Sequence, residues 1–180
     1  MLDTLITSKT RMKLLLKFFS NPENKAYLRG LAEELNENTN GIRVELNRLT
    51  MAGLLLNRHE GNLVWYHANP ANPFFAMLQR LVRKYMGVDD IIESVVHKLG
   101  DLEAAILIGD YAKGIDSGTI EMVLVANTVD EAFLELLRLR GEELSGRKIS
   151  LYTCTPDTLD AKLKNLGSYD NGWLLYRRVG

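Results

Sequence analysis

Three times between Thr7 and Gly53 the chain repeats the apolar spacing of a short amphipathic helix. In KTRMKLLLKFFS, Met12, Leu15, Leu16 and Phe19 fall at i, i+3, i+4 and i+7, after Thr7 or Ser8 as N-cap. NPEN breaks the pattern, and LRGLAEEL restores it with Leu28, Leu31, Ala32 and Leu35. The polar turn NENTNG follows, in which Asn side chains cap or bond locally to the backbone. A third segment, TNGIRVELNRLTMAG, gathers Ile42, Leu46 and Leu49 on one face and stops at Gly53.

Two β-favouring runs come next, LLLNR and NLVWYH, separated by HEG. The second run alternates, with Leu63, Trp65 and His67 on one face and Val64 and Tyr66 on the other, the pattern of a β-hairpin. Three helices and a hairpin describe a winged helix, whose third helix enters the major groove of DNA. The face of that helix away from Ile42, Leu46 and Leu49 carries Thr39, Asn40, Arg43, Asn47 and Arg48. Thr39, Asn40, Arg43 and Asn47 are candidate base readers, since Arg and Asn match guanine and adenine edges. Arg48 and the wing residues Arg58, His59 and Asn62 are candidates for phosphate or minor-groove contact. Glu45 counts against this face, because a carboxylate near phosphates repels.

HANPANPFF holds two Asn-Pro pairs and marks a boundary. Beyond it, Phe75, Leu78, Val82 and Tyr85 resume a helical pattern. That pattern passes Met86-Gly87 as a kink and continues through Val88, Ile92, Val95 and Leu99 to Gly100. A helix of this length between two domains leaves apolar surface for a second copy, so a homodimer is expected. The resulting division is a winged helix over residues 1–73, a linker and dimerisation helix over 74–100, and a third region over 101–180.

In that third region EAAILIG, IEMVLVA and KISLYTCT have the composition of buried strands. Thr128 with Glu131 suggests a capping box for VDEAFLELLRLR, with Phe133, Leu136 and Leu137 facing inward. Thr155-Pro156 supplies an N-cap and N1 proline for a helix ending near Gly167. The alternation indicates a small α/β layer, and the expected fold class for the whole chain is α+β.

Composition narrows the function classes. The chain has 180 residues, 46% hydrophobic and 25% charged, with net charge −1. Up to Phe75 there are nine Lys or Arg against seven Asp or Glu, leaving thirteen against sixteen for the remainder. This mild asymmetry permits nucleic-acid binding by the first half without establishing it. No apolar run has membrane-spanning length, and the N-terminus lacks the layout of a signal peptide. Cys154 is the single cysteine, so a reducing, cytoplasmic setting is expected, with no membrane partner. His59, His67 and His97 have no metal-ligand spacing, and Cys154 has no evident His-Asp arrangement, so no metal site or nucleophile is expected.

SKTRMKLLLKFF, LRGLAEELNENTNGIRVELNRLTMAGLL and EGNLVWYHANPANPFF together match a known pattern. So, in part, does GDYAKG at residues 109–114. The chain resembles the prokaryotic family that joins an N-terminal winged helix to a C-terminal nucleotidyltransferase-like domain, over nearly all its length. The resemblance implies a phosphate-holding loop at GDYAKG, where the family usually has Gly-Ser-Tyr-Ala-Arg-Gly. It also implies carboxylates for Mg²⁺, two from an Asp-x-Asp on the next strand and one from a later strand.

By position those carboxylates become Thr119, Glu121 and a residue near Ser150, so one of three is acidic. Asp110 replaces the serine and would repel a triphosphate. Compensation by Asp110 and Asp116 beside Glu121 is disfavoured, because metal sites tolerate little geometric error. The expectation is therefore a catalytically degenerate domain with no catalytic residue and no cofactor. A pocket around Gly109, Asp110, Tyr111, Lys113, Gly114 and Glu121 would take a small-molecule effector, with Lys113 as an anion contact. The function expected is a sequence-specific transcriptional regulator binding double-stranded DNA. The alternatives are an active Mg²⁺-dependent nucleotidyltransferase or an antitoxin-like protein-interaction module.

Overall fold

The computed structural model describes residues 6–89, 91–93, 101–168 and 172–178. Val95, His97, Leu99 and Gly100, used above, lie outside the described residues. The chain is α+β and divides into two compact units, Met1–Val82 and Arg83–Gly180.

The first unit begins with α1 (Lys9–Ser20), capped by Ser8, whose Oγ accepts from the Arg11 amide at 3.2 Å. All four apolar positions expected on its inner face are buried, and so are Leu14 and Phe18. Helix α2 (Leu28–Glu34) and helix α3 (Thr39–Met51) follow. Asn38 caps α3, its Oδ1 accepting from the Asn40 amide at 2.8 Å. Leu14, Phe18, Phe19, Leu31, Ile42 and Leu46 of the three helices are almost fully buried.

The hairpin is β2 (Leu55–Glu60) with β3 (Leu63–Ala68), antiparallel. Glu60 pairs with Leu63, so the loop is Gly61-Asn62 and not HEG; His59 and Glu60 belong to the strand. A two-residue loop with Gly first fits the twist of the flanking strands. A third strand, β1 (Lys25–Tyr27), pairs antiparallel along the other edge of β3, giving the order β1-β3-β2. Tyr27 and Trp65 meet edge to face across that pairing, centroids 5.0 Å apart. Both Asn-Pro pairs serve the turn after the hairpin: Asn69 and Asn72 each donate a side-chain N–H to the Gly53 carbonyl, at 2.8 and 3.0 Å.

Helix α4 (Phe75–Met86) contains the boundary between the units. It stops at Gly87, whose φ of 75° is a left-handed conformation that disfavours any residue with a Cβ. A Cβ there would also stand 2.9 Å from Ser145 Cβ. Residues 88–89 and 91–93 are helical again, so the expected single helix is interrupted.

The second unit contains β4 (Leu102–Ile108), a helical turn α5 (Gly109–Ala112), β5 (Thr119–Ala126), α6 (Glu131–Ser145), β6 (Lys148–Cys154), a 3₁₀ turn (Pro156–Thr158), α7 (Leu159–Asn165) and β7 (Trp173–Arg177). The sheet order is β6-β5-β4-β7. Strands β5 and β6 are parallel, with α6 between them in sequence; the other neighbours are antiparallel. Ala104, Ile106, Ile108, Val123 and Val125 form one buried face with Leu163 of α7.

Two local expectations change here. Asp130, not Thr128, caps α6, accepting from the Ala132 and Phe133 amides. Thr128 instead donates both its amide and its hydroxyl to Asp101, each at 2.8 Å. Leu136 points outward and is 65% exposed; the buried line of α6 runs through Leu137 and Gly141. The reason is close approach, since a Cβ on Gly141 would meet Ile149 Cδ1 at 2.5 Å.

Candidate nucleic-acid interface and the Gly109 loop

With Ile42, Leu46 and Leu49 buried, the 100° step of the helix turns Asn40, Arg43, Val44, Asn47 and Met51 outward. Thr39, Asn40, Arg43, Asn47 and Arg48 are all exposed. Among the described residues Arg43 makes no ion pair or hydrogen bond, so its guanidinium stays available. Val44 and Met51, absent from the sequence-based set, also lie on this outward side, 41% and 88% exposed. Helical spacing alone would have found them.

Glu45 is not on this face. It is buried, and it accepts from Ser8 Oγ at 3.1 Å, Arg11 Nε at 2.8 Å and Arg48 Nη1 at 3.0 Å. Burial raises its pKa, but the hydrogen bonds from Arg11 and Ser8 and the charges of Arg11 and Arg48 outweigh that, leaving it below the ordinary value. The carboxylate expected to repel phosphate is thus neutralised inside the helical core. It also holds Arg48, whose side chain stays 60% exposed.

Two more acids are drawn to α1: Glu37 pairs with Lys13 at 2.7 Å and Glu34 with Lys17 at 2.5 Å. Hydrogen bonding from Lys13 leads the effects that lower the Glu37 pKa. On the hairpin, Arg58, His59 and Asn62 are exposed, with Glu60 3.8 Å from Arg58.

In the second unit the stretch after β4 is a helical turn and not an open loop. Tyr111 and Gly114 are buried, Lys113 is exposed, and Asp110 is half-buried. The Tyr111 ring therefore belongs to the core. Its hydroxyl donates to Asp116, and Arg147 grips the same carboxylate through Nε at 3.2 Å and Nη2 at 2.7 Å. The Arg147 guanidinium also lies over the rings of Tyr85 and Tyr111. Burial leads, and the Asp116 hydrogen bond and charge add to it, in raising the Tyr111 pKa well above the phenol range. Asp116 is opposed by burial but lowered by Arg147 and Tyr111. It is a structural carboxylate, and nothing in the sequence marks Arg147 as its partner.

Strand register brings together the three positions that the resemblance matches to carboxylates. Glu121 stands beside Ile108 on one side and Ser150 on the other, and Thr119 stands beside Lys148. Alternation puts Thr119 and Glu121 on one face. The Tyr152 hydroxyl lies 3.4 Å from Glu121 Oε1, and burial, ahead of the Glu121 charge, raises its pKa. Glu121 fits against the bare Cα of Gly109, whose φ is 66°; a Cβ there would collide with the carboxylate.

This donor set does not fit Mg²⁺ bound for phosphoryl transfer, which needs several hard oxygen ligands. Glu121 is the one acid among Thr119, Glu121 and Ser150, while Asp116 is committed to Arg147. Among the described residues no three His, Cys, Asp or Glu side chains are grouped to hold a metal ion. A concave surface along α6, lined by Phe133, Leu136, Leu139, Arg140 and Leu144, includes none of Gly109, Asp110, Lys113 or Glu121. No helix among the described residues is long and apolar enough to cross a membrane.

No family model and no curated protein matches the chain. Among solved structures, reduced HlyU from Vibrio cholerae is similar at 22% identity, over 47% of this chain and 84% of that one, with a TM-score of 0.38. A mutant of the toxin–antitoxin MntA–HpeT is similar at 17% identity, over 50% and 72%, with a TM-score of 0.41. A putative nucleotidyltransferase from Sulfolobus solfataricus is similar at 16% identity, over 54% and 83%, with a TM-score of 0.39. At these scores the likenesses are weak and assign no activity.

Proposed function

We propose that the chain is a cytoplasmic, sequence-specific DNA-binding regulator of transcription that acts as a homodimer. Its second unit keeps a nucleotidyltransferase-like arrangement without the transfer reaction and serves for sensing or assembly. The observation that carries this reading is the outward side of α3, with Arg43 uncommitted and Glu45 withdrawn into the core. Thr39, Asn40, Arg43 and Asn47 then face base edges, while Arg48, Arg58, His59 and Asn62 face the sugar-phosphate backbone. The stripe Phe74, Met77 and Leu81 on and before α4, 60%, 66% and 37% exposed, supports pairing with a second copy. A two-fold pair of recognition helices spans two half-sites.

The absence of transfer rests on Glu121 being the one acid among three family positions and on the commitment of Asp116 to Arg147. Selection of duplexes from a random pool by the purified chain, at salt high enough to suppress unspecific phosphate contacts, tests the central claim. A two-fold symmetric motif is expected. Failure to enrich any motif removes the regulator reading, and labelled-nucleotide transfer assays then become decisive.

A further inference from the structure

Isolated apolar side chains on a protein surface are ordinary and call for no ligand. Val44 differs in its surroundings. It lies on the outward side of α3, with Asn40 one turn before it, Asn47 and Arg48 one turn after, and Arg43 beside it. Each of those neighbours is exposed and able to hydrogen-bond. Val44 is a branched hydrocarbon in a polar field, 41% exposed.

We propose that Val44 is a specificity-determining residue whose methyl groups pack against the C5-methyl of a pyrimidine in the major groove. The inference rests on the DNA-binding reading above and adds a chemical requirement to the site. The major-groove edge of thymine carries such a methyl next to its O4 acceptor, and apolar side chains are its natural contact. A valine has neither donor nor acceptor, so it distinguishes bases only by shape and apolar contact.

Position along the helix sets where the methyl must be. At 1.5 Å rise per residue, Val44 lies about 6 Å from Asn40 and about 4.5 Å from Asn47 along the axis. Base pairs are spaced about 3.4 Å apart. The methyl-bearing pyrimidine therefore sits within one or two base pairs of a purine contacted by Asn40, Arg43 or Asn47. The methyl can come from thymine or from 5-methylcytosine, which present the same group.

The experiment uses the full chain and the motif it selects from two random pools, one unmodified and one with C5-methylated cytosine. Each thymine of the motif is then replaced by uracil, or each 5-methylcytosine by cytosine, which removes the methyl and preserves pairing. One position per half-site is expected to weaken binding by about fourfold, the change that follows from losing one buried methyl. Val44→Ala is expected to shrink that difference towards unity while the Tm of the chain is unchanged. Sensitivity in the unmodified pool assigns thymine, and sensitivity confined to the methylated pool assigns 5-methylcytosine. Equal binding with and without the methyl at every position overturns the proposal, as does full discrimination retained by Val44→Ala. If neither pool yields a motif, the DNA-binding reading itself fails and takes this one with it.

Discussion

Arg11 of α1 and Glu45 of α3 meet through two nitrogen–oxygen contacts, Nε to Oε2 at 2.8 Å and Nη2 to Oε1 at 3.3 Å. The pair fastens the first helix to the helix proposed to read DNA. Glu45 is nearly enclosed, its side chain 7% exposed against 38% for Arg11. Removing the cation strands a mostly desolvated carboxylate, which costs more than losing the pair. Arg11→Ala is expected to destabilise the first unit by about 2 kcal/mol, since Ser8 and Arg48 still satisfy part of the charge. Arg11→Met, which keeps the hydrocarbon, should recover little of that loss. Urea unfolding of both variants checks this, and full recovery by Met would mean that packing, not charge, sets the effect.

The same carboxylate gives stability a pH dependence of defined sign. Glu45 titrates below its ordinary value of 4.5 in the folded chain, so the unfolded chain binds its proton more readily. Its contribution is complete above pH 4.5 and is lost as the pH falls through the lower folded value. Thermal unfolding followed from pH 6 downward should show a declining Tm in the acid range. Glu45→Gln should flatten that decline even though it lowers stability at neutral pH. Parallel acid slopes for the two proteins would count against the assignment.

In the second unit Tyr111, Asp116 and Arg147 form a trio that closes the turn after α5. The side chains of Arg147 and Asp116 are only 16% and 28% exposed. Arg147→Ala is expected to cost about 2–3 kcal/mol, by leaving a partly buried acid beside a phenol. Tyr111→Phe alone should cost about 1 kcal/mol, and more once Arg147 is gone, because Asp116 then loses its remaining side-chain donor. A double-mutant cycle measured by chemical denaturation tests the coupling. Strict additivity would mean that the three groups do not act together.

Arg43 and Arg58 should separate in their response to salt. A base contact carries sequence preference, whereas a phosphate contact carries counterion release. Arg43→Ala is expected to weaken binding to the selected motif by about tenfold and to relax preference at one base pair. Arg58→Ala should weaken selected and unrelated duplexes alike and reduce the slope of log K against log salt by about one unit. If Arg43→Ala lowers both affinities equally, Arg43 is a backbone contact.

The sequence exposed what is local and concealed what is tertiary. Met12, Leu15, Leu16 and Phe19 marked the inner face of α1 because their spacing is fixed by the helix itself. Lys25–Tyr27 gave no sign of being a strand, since three residues make no period and their pairing comes from the edge of β3. In FLELLRLRG leucines occupy several faces, so the inner face of α6 was undetermined until Ile149 approached Gly141. Thr128 and Asp130 are both competent caps, and Asp101 decided between them by engaging the threonine. Glu45 was misjudged, and the structural role of Asp116 went unseen, for one reason: their partners, Arg11 and Arg147, lie more than thirty residues away.

Gly109 and Glu121 provide the sharpest check on the second unit. The φ of 66° at Gly109 costs an L-residue about 1 kcal/mol, and an alanine Cβ there would collide with the Glu121 carboxylate. Gly109→Ala is therefore expected to destabilise the unit by about 2–3 kcal/mol, the strain and the collision together. Glu121→Ala empties the space and should return the collision part while leaving the backbone strain. The double variant should then be more stable than Gly109→Ala alone, a reversal that requires the two side chains to occupy the same space. Simple addition of two losses would place Glu121 elsewhere. It would also remove the geometric reason for reading this strand end as the counterpart of a transferase carboxylate.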